Sequence, residues 1–200
     1  MFIDFIKIRD LRLSMIFFLI TSLFCSPLIA QTTRLVPSSY STIAAAISAA
    51  VNGDTIDITG TITESTITIN KNLIIRGHGR TNTTVNNSGG TGNVFTTSSG
   101  ITAVIKEMTI SNGQRGIYIY YSNMTISGCD VCYNSQGGIS CGGSTAYFIN
   151  IINSNICYNG GTGGSGGAGI LNGFRGALTI NANQELKIKP IKAPAIFPNI

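Results

Sequence analysis

The sequence predicts an all-β chain built as a solenoid of about four to five stacked coils with a short N-terminal capping helix. Three observations carry that reading. First, a pattern recurs: Val131-Cys132-Tyr133-Asn134 returns as Ile156-Cys157-Tyr158-Asn159, 25 residues on, and Gly116-Ile117 returns as Gly138-Ile139, 22 residues on. Second, apolar residues come in short alternating pairs, the period of a strand with one face inward. Third, charged residues are only 10% of the chain and Gly is 24 of 200. That is the make-up of a β-rich repetitive protein; disorder requires high charge and few β-branched residues.

Charge excludes one function class. The formal net charge is +5. Without residues 1–30, Lys and Arg number 10 and Asp and Glu 6, a net of +4. Four of the basic residues, Arg175, Lys187, Lys189 and Lys192, lie near the end of the chain. No basic stripe with interleaved aromatics exists, so no nucleic-acid partner is expected.

Residues 1–30 read as a secretory signal peptide. Lys7, Arg9 and Arg12 form a basic start, and the apolar run from Met15 extends about ten residues before the Leu28-Ile29-Ala30 cleavage site. The run is shorter than the ~20 residues that span a bilayer, so no transmembrane helix is expected once it is removed. Phe24 before Cys25 is too large for a lipidation site.

Residues 31–58 read as an N-terminal cap with the first strand. A helix is expected over about 41–51, with Ser41 as N-cap. Ile43, Ala46, Ile47, Ala50 and Val51 form its apolar face, and Gly53 takes the left-handed position that ends it. Thr55–Thr59 then alternates as a strand. So short a helix is marginal alone; it serves as a lid over the open end of a stack, whose unpaired N–H and C=O groups need cover. Tyr40, Thr42, Ile43, Ala46, Ile47, Ala50, Gly53, Asp54, Thr55 and Ile56 resemble the entry segment of right-handed parallel β-helix proteins, the pectate-lyase-like superfamily. With the coils, the resemblance covers roughly residues 35–180. It implies a right-handed parallel β-helix. It leaves activity open, because polysaccharide lyases, glycosidases, tailspikes, adhesins and autotransporter passengers share that fold.

Coils are expected over 59–180. The inward pairs are Ile67/Ile69, Leu73/Ile75, Val104 with Met108/Ile110, Ile117/Ile119, Met124/Ile126, Ile149/Ile151 and Leu178/Ile180, with Val131 and Ile156 also inward. Asn112, Asn134 and Asn159 are expected at equivalent turns as a buried ladder whose amides satisfy one another. Val131–Asn134 before Gly137-Gly138-Ile139, and Ile156–Asn159 before Gly166-Gly167-Ala168-Gly169-Ile170, resemble the repeat of chlamydial-type polymorphic outer membrane proteins. Val and Ile replace the usual Phe, the first copy lacks the Ala, and the second places Gly169 before Ile170. This resemblance implies a bacterial cell-surface, outer-membrane or secreted protein. The second glycine run reads as a surface loop; no Gly-Lys-Ser/Thr follows it, so it is not a phosphate cradle.

Residues 181–200 break the pattern with Pro190, Pro194, Pro198 and three lysines. Proline is excluded from interior strands, so a disordered tail is expected. The chain reads as the first coils of a longer protein. A raw last coil invites end-to-end self-association.

Little catalytic chemistry is expected. After the signal the carboxylates are Asp54, Asp57, Glu64, Glu107, Asp130 and Glu185, without the clustered acids that glycoside hydrolysis needs. Turn formation accounts for Asp54. Glu107 and Asp130, 23 residues apart, are calcium candidates one coil apart, although an ordinary site supplies about 6–8 oxygens. No cofactor is expected. The single histidine, His78, lies between glycines and has no triad partner in sequence. Cys129 and Cys132 form a CxxC without a second pair. Alternation puts Cys129 inward and Cys132 outward with Cys157 one coil above, either free or bridged in an oxidising compartment.

Three function classes follow. The first is a non-enzymatic surface or secreted β-helix, adhesin- or passenger-like, with glycans or cell-surface proteins as partners. The second is a carbohydrate-active enzyme or its remnant. The third is an ice- or surface-binding solenoid, suggested by Thr59, Thr61, Thr63, Thr66 and Thr68 but not continued in the later coils.

Overall fold

The computed structural model describes residues 30–142, 147–160, 168–172, 177–181 and 188–189. Among these residues the protein is an all-parallel β-solenoid of about five turns with one short helix. Each full turn contributes one strand to each of three sheets, which hold seven, six and five strands among the described residues because extra strands at the two ends join two of them. Successive coils pair in register, and that register explains why isoleucine dominates the sequence.

In the seven-stranded sheet Ile56, Ile75, Ile105, Ile126, Ile151 and Ile180 occupy one register position. In the six-stranded sheet the position passes through Ile62, Val85, Ile110, Val131, Ile156 and Ile188. In the five-stranded sheet it passes through Ile67, Phe95, Ile117, Ile139 and Ile170. These columns line the interior from Ile56 to Ile156, and most of their members are fully buried. Each buried side chain contributes about 1.5–3 kcal/mol relative to exposure. β-Branched residues fit because a pleated surface packs them on like neighbours above and below.

The corners are tight and use the left-handed backbone. Glu107, Gly128 and Asn153 take positive φ at one corner, and Asn112, Tyr133 and Tyr158 at the next. Non-glycine residues in this region are uncommon. Here the coil-to-coil hydrogen bonds on either side hold them, such as Glu107 N to Ser127 O at 3.0 Å and Gly128 N to Ile152 O at 2.9 Å.

The N-terminal end differs from the expectation in detail. The stack begins before the helix, with Thr33–Val36 paired to Thr55–Ile58, so Thr55–Ile58 is the second strand. The helix spans Ile43–Ala49, and its N-cap is Thr42, whose Oγ1 accepts a hydrogen bond from Ala45 N at 3.1 Å. Val51 is exposed rather than part of the buried face. Gly53 does take positive φ, 94°, but it lies beyond Ala50, the C-cap of the helix, and turns the chain into the next strand.

Two charges from the first coil clamp this helix. Glu64 accepts from the free backbone N–H groups of Ile43 and Ala44. The Lys71 ammonium donates to the carbonyls of Ile47, Ser48 and Ala50 at 2.7–2.8 Å. A carboxylate at the N-terminus and an ammonium at the C-terminus both oppose the helix dipole. Lys71→Met is therefore expected to cost about 1–2 kcal/mol and to loosen the lid first. Urea titration gives the cost, and amide exchange at Ala46–Ala50 reads the lid.

Elsewhere two expectations are corrected, and a third falls on side chains outside the described residues. Val104 is half-buried on the outer side, because in Thr102–Lys106 the inward residues are Ala103 and Ile105. Leu178 and Ile180 lie on a strand whose side chains are outside the described set. Within the stretch expected to be disordered, Ile188–Lys189 is a strand paired in parallel with Ile156 and Cys157; the remaining residues beyond Asn181, like residues 1–29, lie outside the described residues.

Candidate functional site

The residues expected to carry chemistry are mostly absorbed by the stack. Asn134 and Asn159 are equivalent and buried, but Asn112 is not their partner. The six-stranded sheet sets Ile110 beside Val131, which brings Asn112 level with Tyr133 and Gly113 level with Asn134. Asn112 is exposed and donates to Asn87 O at 3.0 Å. The 22-residue spacing misled because the coil advances 21 residues at this face, from Thr109 to Asp130, and 22 at the next, from Arg115 to Gly137.

The true ladder is Gly113 N to Asn134 Oδ1 at 3.0 Å, then Asn134 N and Nδ2 to Asn159 Oδ1, each at 3.0 Å. The Asn159 amide donates onward to Val131 O at 2.7 Å. Glycine makes room for it. Gly116 and Gly138 fall in one register column, and Gly169 continues it. A Cβ at Gly138 would lie 2.6 Å from Asn159 Nδ2, Gly169 O and Ile156 Cγ2. Gly169, a departure from the expected repeat, is the glycine this column requires.

Cys132 and Cys157 form a disulfide with Cα atoms 4.7 Å apart. Cys132 is buried although it alternates with the inward Val131, because its disulfide partner sits directly above it. Cys129 and Cys141 are free and buried; burial pushes both thiols up to about 12, which leaves them inert.

Glu107 and Asp130 do not share a register position. Asp130 pairs with Thr109, receives Asn155 Nδ2 at 2.7 Å, and lies 3.4 Å from Arg80 Nε. Arg80 also donates to Gly128 O and Asn153 O, clasping two coils. Glu107 sits at its own corner, beside Gly128. Among the described residues no three His, Cys, Asp or Glu gather.

Asp54 and Asp57 are more deeply engaged than turn chemistry predicts. Asp54 is buried and accepts from Val51 N at 3.0 Å, Thr32 N at 2.8 Å and Arg34 Nε at 3.0 Å. The Val51 N–H foremost, with Thr32 and Arg34, holds its pKa below the ordinary carboxylate value against the opposing effect of burial. A depressed carboxylate stabilises the fold above its unfolded pKa, and that contribution disappears as pH falls through the folded pKa. Asp54→Asn is thus expected to be most destabilising near pH 7 and to converge on the parent protein only as pH falls through the depressed folded pKa, below the ordinary carboxylate value, measured by urea titrations across pH.

Asp57 meets two bases. His78 Nε2 lies 2.8 Å from Asp57 Oδ1, and Arg76 NH2 donates to Oδ2 at 2.7 Å. Burial raises the Asp57 pKa, yet the hydrogen bonds and charges of Arg76 and His78 together outweigh it and the net shift is down. The imidazole is half-exposed, 49% at its side chain. Thus His78, expected as a bare turn residue, is an Asp-oriented histidine at the surface.

The largest feature was not anticipated. Strand Arg115–Tyr120 alternates Gly116, Ile117 and Ile119 inward with Tyr118 and Tyr120 outward. Tyr118 and Tyr120 have ring centroids 6.4 Å apart and nearly parallel. Tyr121 meets Tyr120 edge-on at 4.5 Å, and Tyr147 of the next coil meets Tyr121 at 5.9 Å. Phe148, 70% exposed, follows Tyr147. The Arg115 guanidinium lies over the Tyr118 ring, 5.6 Å from its centroid. Ile-Tyr-Ile-Tyr-Tyr is the signal that could have found this strip: period two forces its tyrosines outward. A second, separate pair, Tyr133 and Tyr158, stacks at 5.2 Å beside the disulfide.

No family model matches the chain, and comparison with curated proteins and with solved structures found no match. Its class is thus that of its architecture, a parallel β-solenoid. Among the described residues no helix is long and apolar enough to cross a membrane.

Proposed function

We propose that this chain is an exported, non-enzymatic β-helix protein, secreted or displayed on a bacterial surface, which acts by binding through its lateral faces in the manner of an adhesin or autotransporter passenger. It resembles the pectate-lyase-like superfamily at its entry segment and polymorphic outer membrane proteins in its glycine-asparagine repeat. The carrying observation is the division of labour among its side chains. Asp54, Asp57, Glu64 and Asp130 each hold backbone N–H groups or cations within the stack, whereas tyrosines collect on the outside. Exposed aromatic clusters with little aliphatic company suit recognition rather than bond cleavage.

The Asp57–His78 pair favours a second reading, a remnant of a carbohydrate-active enzyme, because an oriented, half-exposed imidazole is suited to proton transfer. Incubation with a panel of polysaccharides, with and without calcium, decides between them. The binding reading predicts no new reducing or unsaturated ends. Turnover that disappears in His78→Ala would overturn it.

A further inference from the structure

The aromatic strip has the chemistry of a sugar platform. The Tyr118 ring lies across the strand above it: a Cβ at Gly142 would strike the Tyr118 hydroxyl and come within 3.0 Å of Cζ. Glycine there lets the ring lie against the sheet. Tyr120, 42% exposed, and Tyr121 continue the surface around the corner, and Tyr147 and Phe148 extend it to the next coil. Such rings offer apolar faces with polar edges at low conformational cost, matching the C–H faces and hydroxyls of a pyranose.

The surroundings favour a glycan over a protein. The register column through Tyr118 holds Thr68 and Thr96 on one side and Ser140 on the other. Ser140 is 4% exposed and its hydroxyl has no hydrogen-bond partner. Across the corner, Asn123 Nδ2 and Thr102 Oγ1 are joined at 3.3 Å in an exposed pair. A protein hot spot instead seats its aromatics amid a desolvated, well-packed pocket. Charge adds a preference. Among the described residues Arg34, Arg76, His78 and Arg80 all have carboxylate partners, and Arg115 has none. Its guanidinium at the end of the strip is a fork for a planar anion.

We propose that Tyr118, Tyr120 and Tyr121, with Arg115 at one end, bind a glycan chain, the tyrosine rings stacking on sugar faces and Arg115 selecting sugars that carry a carboxylate or sulfate. The proposal rests on the lateral-binding reading above and names its site and ligand class.

Affinity electrophoresis tests it, with the purified chain run through gels containing alginate, dextran sulfate, dextran or hydroxyethyl cellulose. Retardation is expected in the alginate or dextran sulfate gel, stronger than in either neutral gel. Tyr120→Ala should weaken retardation about tenfold, Tyr120→Phe should retain most of it, and Arg115→Gln should remove the preference for the charged gels. Circular dichroism and melting temperature establish that the variants are folded; Tyr133→Ala, on the other tyrosine pair, should bind as the parent does. Equal retardation of the parent, Tyr120→Ala and Arg115→Gln would overturn this site while leaving lateral binding intact. Retardation by none of the four polymers, with Tyr120-dependent capture of a purified surface protein, would overturn the glycan assignment. Release of shortened chains from the gel polymer would instead overturn the binding reading itself.

Discussion

Asn134→Ala is expected to destabilise the solenoid by about 3–5 kcal/mol. Asn134 is 1% exposed. Its Oδ1 accepts from Gly113 N, and its Nδ2 donates to Ile110 O, Cys132 O and Asn159 Oδ1. Alanine leaves that N–H and those carbonyls facing an apolar interior without water, and each such group costs about 1–3 kcal/mol. The backbone N–H of Asn134 keeps its own partner, Asn159 Oδ1, so the loss stays below the sum of all the contacts. Asn134→Asp keeps the acceptor but loses the donors and buries a charge, so it should do no better. Asn112→Ala is the control. It removes an exposed side chain with one bond to Asn87 O and should cost less than about 1.5 kcal/mol. Urea titration of the three variants separates a two-rung ladder from a three-rung one: if Asn112→Ala costs as much as Asn134→Ala, the register argued above is wrong.

Gly138→Ala should cost about 3 kcal/mol, near the top of the range for overpacking. The added methyl would lie 2.6 Å from Gly169 O, a backbone atom, and equally close to Asn159 Nδ2 and Ile156 Cγ2. A flexible side chain could yield, but a carbonyl fixed in the sheet between Gly137–Gly142 and Ala168–Asn172 moves only with its whole coil. The expected signature is a loss of stability together with faster amide exchange in Ile139 and Ile156. Gly60→Ala provides the contrast, since its Cβ would meet nothing within 4 Å and its cost is backbone strain alone, φ being 72°, about 1 kcal/mol.

The solenoid was legible because its inward columns repeat one residue type. Ile56, Ile75, Ile105, Ile126 and Ile151 need no knowledge of the turns to be recognised as a set. Registration at the corners was less legible. Coil length differs by one residue between the face at Thr109–Asp130 and that at Arg115–Gly137, so a match by spacing placed Asn112 one position out of step with Asn134. Ion pairs were hidden for another reason. Asp57 and Arg76 are register partners on adjacent coils, a pairing that needs the exact coil length to be read, and His78 reaches Asp57 from just beyond the strand that ends at Arg76. Cys132 with Cys157 was readable because both stand at the same offset after Val131 and Ile156. The tyrosine strip was readable in principle, but its residues alternate with isoleucines that attract attention as core.

The claim beneath the ladder, the glycine column and the binding strip is a single coil-to-coil register, with Cys132 opposite Cys157. Peptide mapping without reductant, after alkylation of the native and then of the denatured protein, tests it most directly. The register predicts one linked peptide pair joining Cys132 to Cys157, with Cys129 and Cys141 alkylated only on denaturation. A link from Cys129 to Cys132, any link to Cys141, or native alkylation of Cys132 and Cys157 would contradict it.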